Sequence, residues 1–145
     1  MADVIRTVCP HCQHINRISA PLNATDSAHC SQCHKRLTSE KALAVSDDQL
    51  KSNLRNEQLP LLVDFWSPGC RPCKMMMPVL DQAAKRLSNK LRIHKINTQE
   101  YPSVIKSRHI KAVPTLILFR KGKELDRVTG AIRAPQLHGW ISKHL

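Results

Sequence analysis

Aromatic side chains are scarce in this chain: Phe65, Trp66, Tyr101, Phe119 and Trp140 are the only five among 145 residues. None falls in the first forty positions, so that segment offers no platform for stacked nucleic-acid bases. Acidic residues are also few, 11 Asp plus Glu against 23 Lys plus Arg, which leaves a formal charge of +12. No apolar run approaches the length of a bilayer span, which argues against a membrane protein. The opening stretch, Met1 to Cys9, has no basic head followed by an apolar core, so it does not read as a secretory signal. No low-complexity tract is present. With 41% apolar and 23% charged residues the composition is globular, which excludes wholesale disorder and collagen-like sequence. At this length a large multidomain enzyme is excluded as well. A cytosolic monomer is the expectation.

The six cysteines form three Cys-x-x-Cys pairs. Cytosolic thiols are mostly reduced, so such pairs read first as metal ligands or redox centres. Two halves of the chain differ in grammar. Residues 1–40 hold four of the six cysteines and four of the eight histidines, but few large apolar side chains. No helical period survives there, and a piece of this size usually needs a metal or disulfides to fold. From about Leu43 strand and helix patterns alternate. The boundary is placed between Arg36 and Lys41, giving a cysteine-rich unit (1–40) and a second unit (41–145).

In the second unit Ala42–Val45 is a weak edge strand, and Ser46 caps a helix whose first turn carries Asp47 and Asp48. Leu61–Trp66 reads as a buried strand, broken by Pro68 and Gly69. A helix from about Cys70 to Leu87 follows, with Met76, Leu80, Ala83 and Leu87 on one face and a kink expected at Pro78. Strands at Leu91–Ile96 and Thr115–Phe119, a short helix at Pro102–Arg108, a hairpin turn at Arg120–Lys123 and a last helix from Ala134 complete it. The order βαβαβαββα predicts an α/β fold with a mixed sheet covered by helices.

Cys70 sits where a strand ends and a helix begins. The unpaired N–H groups and the dipole of that helix favour a thiolate, the nucleophilic form. Arg71 adds a full positive charge, and Cys73, one turn on, is placed to close a disulfide. A third metal-binding pair or two inert thiols are the alternatives, but a mononuclear structural zinc site takes four ligands and the other cysteines supply four. Asp64 interrupts an apolar strand, so a buried carboxylate with a raised pKa is expected. It could exchange a proton with Cys73, or simply pair with Lys95 on the neighbouring strand. Pro114 reads either as a routine strand-initiating proline or as a cis peptide beside the site.

The stretch Val63-Asp-Phe-Trp-Ser-Pro-Gly-Cys-Arg-Pro-Cys-Lys74, with Pro78, Lys95, Val113-Pro-Thr115 and Gly130, resembles the thioredoxin family over about residues 42–145. The resemblance implies the thioredoxin fold, Cys70 as attacking and Cys73 as resolving thiol, and a cis Val113–Pro114 bond. It implies Asp64 as proton acceptor with Lys95 as its partner, and it puts Arg71 and Pro72 within the site. Two residues depart from the family pattern: Gly69 stands where Trp is usual, and Arg71 where Gly is usual. Arg71 favours the Cys70 thiolate and hence the reduced form, which predicts a less reducing couple by a shift on the order of 30 mV.

Cys9-Pro-His-Cys12 and Cys30-Ser-Gln-Cys33 are seventeen residues apart, a spacing that fits a zinc ribbon or knuckle holding one Zn²⁺. Local disulfides or free thiols are the alternatives. His11, His14, His29 and His34 read as surface side chains, since four cysteines already complete the coordination. Residues 1–40 carry a net charge of only +1 before metal binding, while 41–145 hold nineteen basic against eight acidic residues. A nucleic-acid module carries its own positive patch, so nucleic acid is not the expected partner.

A four-cysteine extension before such a domain resembles the thioredoxin 2 type of bacteria. That implies a protein-disulfide reductase acting on disulfide-containing proteins, with no bound organic cofactor and NADPH used indirectly through thioredoxin reductase. An isomerase or oxidant, a zinc-dependent binding or regulatory protein with the second unit as scaffold, and a zinc module that oxidises under stress are the competing readings.

Overall fold

The computed structural model describes residues 3–20 and 28–145. A small antiparallel hairpin opens the chain: β1 (Asp3–Val8) pairs with β2 (Ile15–Ala20), Val8 facing Ile15 next to the connection. The sequence reading had no strand here. An isolated bridge between His29 and Arg36 brings the second cysteine pair into a matching loop. The two loops pack on each other through Cys9, Cys30 and Leu37, all essentially buried, with Ile18 and Cys33 against them.

The remainder forms a five-stranded sheet of β3 (Leu43–Ala44), β4 (Leu61–Trp66), β5 (Arg92–Asn97), β6 (Thr115–Arg120) and β7 (Lys123–Thr129), in the order β3-β5-β4-β6-β7. β3 and β4 run parallel to β5, while β6 is antiparallel to both β4 and β7. The sheet is therefore mixed, as expected. Its helices are α1 (Asp47–Asn56), α2 (Arg71–Arg86), α3 (Ser103–Ser107) and α4 (Ala134–His144).

Strand alternation sorts the core into two layers. Leu62, Ile93, Leu116 and Leu118 face α2 and α4, meeting Met76, Leu80, Leu137 and Ile141. Val63, Phe65, Ile96, Ile117 and Phe119 face the other way, toward Leu50 and Leu54 of α1 and Val104 of α3. β4 is central and nearly fully buried, so both of its faces read as apolar except at Asp64.

Local signals explain the element ends. Ser46 Oγ accepts from the Gln49 N–H while Gln49 Oε1 accepts from the Ser46 N–H, a reciprocal cap for α1. α2 continues through Pro78, at which one backbone donor is lost. Lys121 (φ 50°) and Gly122 (φ 82°) form the two-residue turn between β6 and β7, both in the left-handed region that such hairpins need. A Cβ on Gly122 would stand 2.8 Å from the Leu54 carbonyl oxygen, so this turn presses directly on the end of α1. Among the described residues no helix is long and apolar enough to cross a membrane.

Candidate functional site

β4 delivers the chain to Ser67, Pro68 and Gly69, and Cys70 becomes the N-cap of α2. The Cys70 Sγ accepts from the Cys73 N–H at 3.1 Å and lies 3.7 Å from the Val113 carbonyl oxygen. Cys70 and Cys73 are joined as a disulfide, their Cα atoms 5.2 Å apart. Their burial differs sharply: Cys70 is partly exposed, whereas Cys73 is 0% exposed. An external sulfur can therefore reach Cys70 but not Cys73. Arg71 and Pro72, the first two residues of α2, are both exposed, and Arg71 has no ion pair among the described residues. Gly69 is exposed, and a Cβ there would meet nothing within 4 Å.

Asp64 lies on the sheet face that α2 covers, alternating with Leu62. It is 0% exposed, and neither carboxylate oxygen has a hydrogen-bond partner among the described residues. Burial pushes its pKa up to about 7, against a weaker opposing pull from the Lys95 ammonium. Lys95 is the β5 residue in register with Asp64. Its Nζ nevertheless makes no ion pair with the carboxylate and instead sits 4.0 Å from Met77 Sδ. The long stem carries the charge toward an open cleft of about 480 Å³, which Lys95 lines together with Trp66, Asn97 and Tyr101. The pair anticipated from the strand pattern is thus a register neighbour acting through space.

The Val113–Pro114 bond is cis, and Pro114 is buried at the entry to β6. Gly130 (φ 98°) donates its N–H to the Pro114 carbonyl at 2.8 Å. Cys70, Cys73 and Val113 thus converge at one end of the sheet, with Asp64 in the layer beneath.

The other four cysteines converge separately. Cys9 Sγ is 3.6 Å from Cys33 Sγ, Cys12 Sγ is 3.5 Å from Cys30 Sγ, and all four sulfurs lie within 4.8 Å of one another. Each pair sits in a similar loop. The His11 and Gln32 N–H groups donate to Cys9 Sγ and Cys30 Sγ, both at 3.4 Å. Gln13 (φ 66°) and His34 (φ 65°) turn the chain after the second cysteine of each pair. Asn16 Nδ2 adds a donor to Cys30 Sγ at 3.5 Å. Donors aimed at sulfur favour thiolates, and four such sulfurs this close can hold one metal ion. His11, His14, His29 and His34 stay outside that group.

Sequence reasoning missed a polar junction between the cysteine loops and the sheet. Glu57 Oε1 accepts from the Thr7 hydroxyl (2.9 Å), the Val8 N–H (3.1 Å) and Arg92 Nε (3.3 Å). Glu57 Oε2 accepts from the Leu59 N–H at 3.2 Å, and an Arg92 terminal nitrogen donates to the Thr7 hydroxyl at 2.8 Å. Arg6 and Gln58 exchange two further bonds, and Asn53 donates to Gln13 at 3.0 Å. The Glu57 and Arg92 side chains are 1% and 5% exposed, so this is a buried ion pair. His94, next on the same face of β5, is buried too. Burial, with the Arg92 charge adding to it, pushes its pKa down to about 3.

Comparison with known proteins agrees with this geometry. The family model described as Thioredoxin matches residues 41–143. Thioredoxin 1 of Synechococcus elongatus is 40% identical over 104 residues, covering 72% of this chain and 97% of that protein. Thioredoxin C-3 of Corynebacterium nephridii is 32% identical over 138 residues, covering 95% of this chain and 94% of that one. The second match takes in the four-cysteine segment as well. The fold, the helix-capping disulfide and these relatives agree: the chain belongs to the thioredoxin family and is a thiol–disulfide oxidoreductase.

Proposed function

We propose that the protein reduces disulfide bonds in other proteins, with Cys70 as nucleophile and Cys73 as resolving thiol. One observation carries this assignment. Cys70 Sγ is reachable from outside and receives a backbone N–H at the positive end of α2, while Cys73 is sealed inside. In the dithiol state the Cys70 thiolate attacks one sulfur of the substrate disulfide. That S–S bond breaks, a mixed disulfide forms, and the other substrate sulfur leaves as a thiolate that takes a proton from water. Cys73 then passes its proton to the Asp64 carboxylate and attacks Cys70 Sγ. The internal disulfide forms as the Cys70–substrate bond breaks, and the second substrate sulfur leaves as a thiolate that takes a proton from water. Asp64 later returns its proton to solvent, and two electrons have moved to the substrate.

Asp64 suits this step because a pKa of about 7 lets it both take and release a proton near neutral pH. Lys95, facing the open cleft, holds the charge balance on the solvent side. The Val113–Pro114 segment orients the substrate backbone beside Cys70, and Arg71 and Pro72 shape the rim. Thioredoxin reductase, drawing on NADPH, returns the dithiol. The setting is the cytosol and the protein acts as a monomer.

The two units are residues 1–40 and 41–145, in the arrangement of the thioredoxin 2 type. Cys9, Cys12, Cys30 and Cys33 hold one Zn²⁺. A tetrahedral zinc with Zn–S bonds near 2.3 Å needs sulfurs about 3.8 Å apart. The observed separations of 3.5 and 3.6 Å support that reading. The ion ties the two loops together and takes no part in the electron transfer.

The mixed disulfide is the direct test. A Cys73→Ser variant incubated with a disulfide-bonded protein should accumulate a covalent adduct through Cys70, seen by mass spectrometry and released by dithiothreitol. An adduct through one of the four N-terminal cysteines instead would overturn the assignment.

A further inference from the structure

At the end of the sheet opposite the disulfide, the structure holds an open cleft of about 420 Å³. Lys51 and Arg55 of α1, Arg108 after α3, and Lys121 and Lys123 at the β6–β7 turn line it, with Leu54 as an apolar floor and no acidic side chain in the lining. Lys51, Arg55, Lys121 and Lys123 have no ion pair or side-chain hydrogen bond among the described residues. Arg108 lies over the Phe119 ring, its guanidinium carbon 5.5 Å from the ring centre. The nearest acid along β7, Glu124, is already engaged bidentately by Arg127 at 2.7 Å to each oxygen.

Five cations converging on one concavity repel one another; the Phe119 ring and the Glu124 charge act on Arg108, and among the described residues no side chain pairs with the other four. The wall is also fixed in shape. The close approach of Gly122 to the Leu54 carbonyl locks the β6–β7 turn against α1, and so sets the spacing between Lys121, Lys123 and the α1 cations.

We propose that this cleft is a binding site for a linear oligophosphate. A single carboxylate or monophosphate would leave most of the five charges unmatched, whereas a chain of three phosphates approaches neutrality. Two guanidinium groups supply planar forks suited to phosphate oxygens, and three ammonium groups supply point charges along the chain. No aromatic face is available for a nucleobase, since Arg108 covers Phe119. Phosphates therefore carry the recognition, whether the chain is inorganic or belongs to a nucleoside triphosphate. β6 spans roughly 20 Å between the Pro114 end and this turn. Occupancy therefore leaves Cys70 open to substrate.

The test is calorimetric titration of the full chain at low ionic strength with sodium tripolyphosphate, orthophosphate, ATP and a single-stranded oligonucleotide. Two variants of equal charge change are compared: Lys51→Ala/Lys121→Ala in the cleft, and Lys85→Ala/Lys143→Ala on the exposed surfaces of α2 and α4. Tripolyphosphate should bind well above orthophosphate. The cleft pair should weaken it about tenfold or more, and the surface pair less than about twofold. ATP matching tripolyphosphate assigns the site to nucleotide phosphate chains, and ATP binding far more weakly assigns it to the inorganic chain. Equal losses in both variants, or no preference over orthophosphate, would overturn the proposal. Oligonucleotide binding that depends on the cleft, with tripolyphosphate inert, would replace it with a nucleic-acid site.

Discussion

Replacing Asp64 with Asn should stabilise the oxidised protein at neutral and alkaline pH but not in acid. The Asp64 carboxyl is fully buried, has no hydrogen-bond partner, and titrates at about 7 against an ordinary 3.8. In the unfolded chain it loses its proton near 3.8, while in the folded protein it keeps it. The unfolded state therefore binds fewer protons between these values, and the stability contribution falls as pH rises through that window. Above about pH 7 both states are ionised and the loss is complete. A displacement of this size corresponds to about 4 kcal/mol, and water entering around the ionised group relaxes part of it, leaving about 2–4 kcal/mol. Asn has the same shape and the same two unpartnered polar atoms as the neutral acid, so the two proteins should be equally stable near pH 3. Urea unfolding of both oxidised proteins at a series of pH values, followed by tryptophan fluorescence, measures the difference. A stability difference that does not change with pH would refute the reasoning, because it would mean that Asp64 titrates alike in both states.

Other outcomes follow from the same geometry. Glu57→Gln leaves Arg92 as an uncompensated buried charge, so stability should fall by about 3–5 kcal/mol in chemical denaturation; a loss under about 1 kcal/mol would show the pair to be solvated. Arg71→Gly should make the Cys70–Cys73 couple more reducing, on the order of 30 mV in glutathione equilibration, and a potential unchanged or less negative would contradict that. Gly122→Ala meets both a positive φ and the Leu54 carbonyl, so thermal unfolding should drop by several degrees, whereas Gly69→Trp enters open space and should leave it nearly unchanged. Stripping metal with a chelator should disorder the loops around Cys9 and Cys30, and amide exchange there should accelerate ahead of the five-stranded sheet; uniform exchange would count against a metal-held module.

The second unit was legible because its signals are local. Ser46, Pro68-Gly69, Lys121-Gly122 and the apolar runs of β4 and β6 act within a few residues, and the ends of β4, α2 and β6 fall within one residue of those expected, whereas α1, expected to end near Asn53, runs on to Asn56. Each Cys-x-x-Cys pair is local in the same way, and the match of two such pairs across a seventeen-residue spacer pointed to four clustered sulfurs. The β1–β2 hairpin was not legible. It is closed by a cysteine loop rather than by an Asn-Gly type turn, and its apolar residues, Val4, Ile5 and Val8 in one strand and Ile15 and Ile18 in the other, do not alternate as a strand pattern requires. The Glu57–Arg92–Thr7 junction was invisible for another reason. Its members lie 35 and 50 or more positions apart, and each alone reads as a surface side chain. Arg92 is buried where Thr7 of β1 and Glu57 meet the start of β5, a meeting that no local pattern announces. Lys95 shows the limit of register arguments. Adjacent strands put it beside Asp64, but a four-carbon stem lets the ammonium turn toward Met77 instead.

The most direct measurement is reduction of insulin disulfides driven by dithiothreitol, wild type beside Cys70→Ser. Rapid turbidity with the wild type and background rates with the variant are expected. Equal rates for the two proteins, at either level, would contradict Cys70 as the nucleophile of this oxidoreductase.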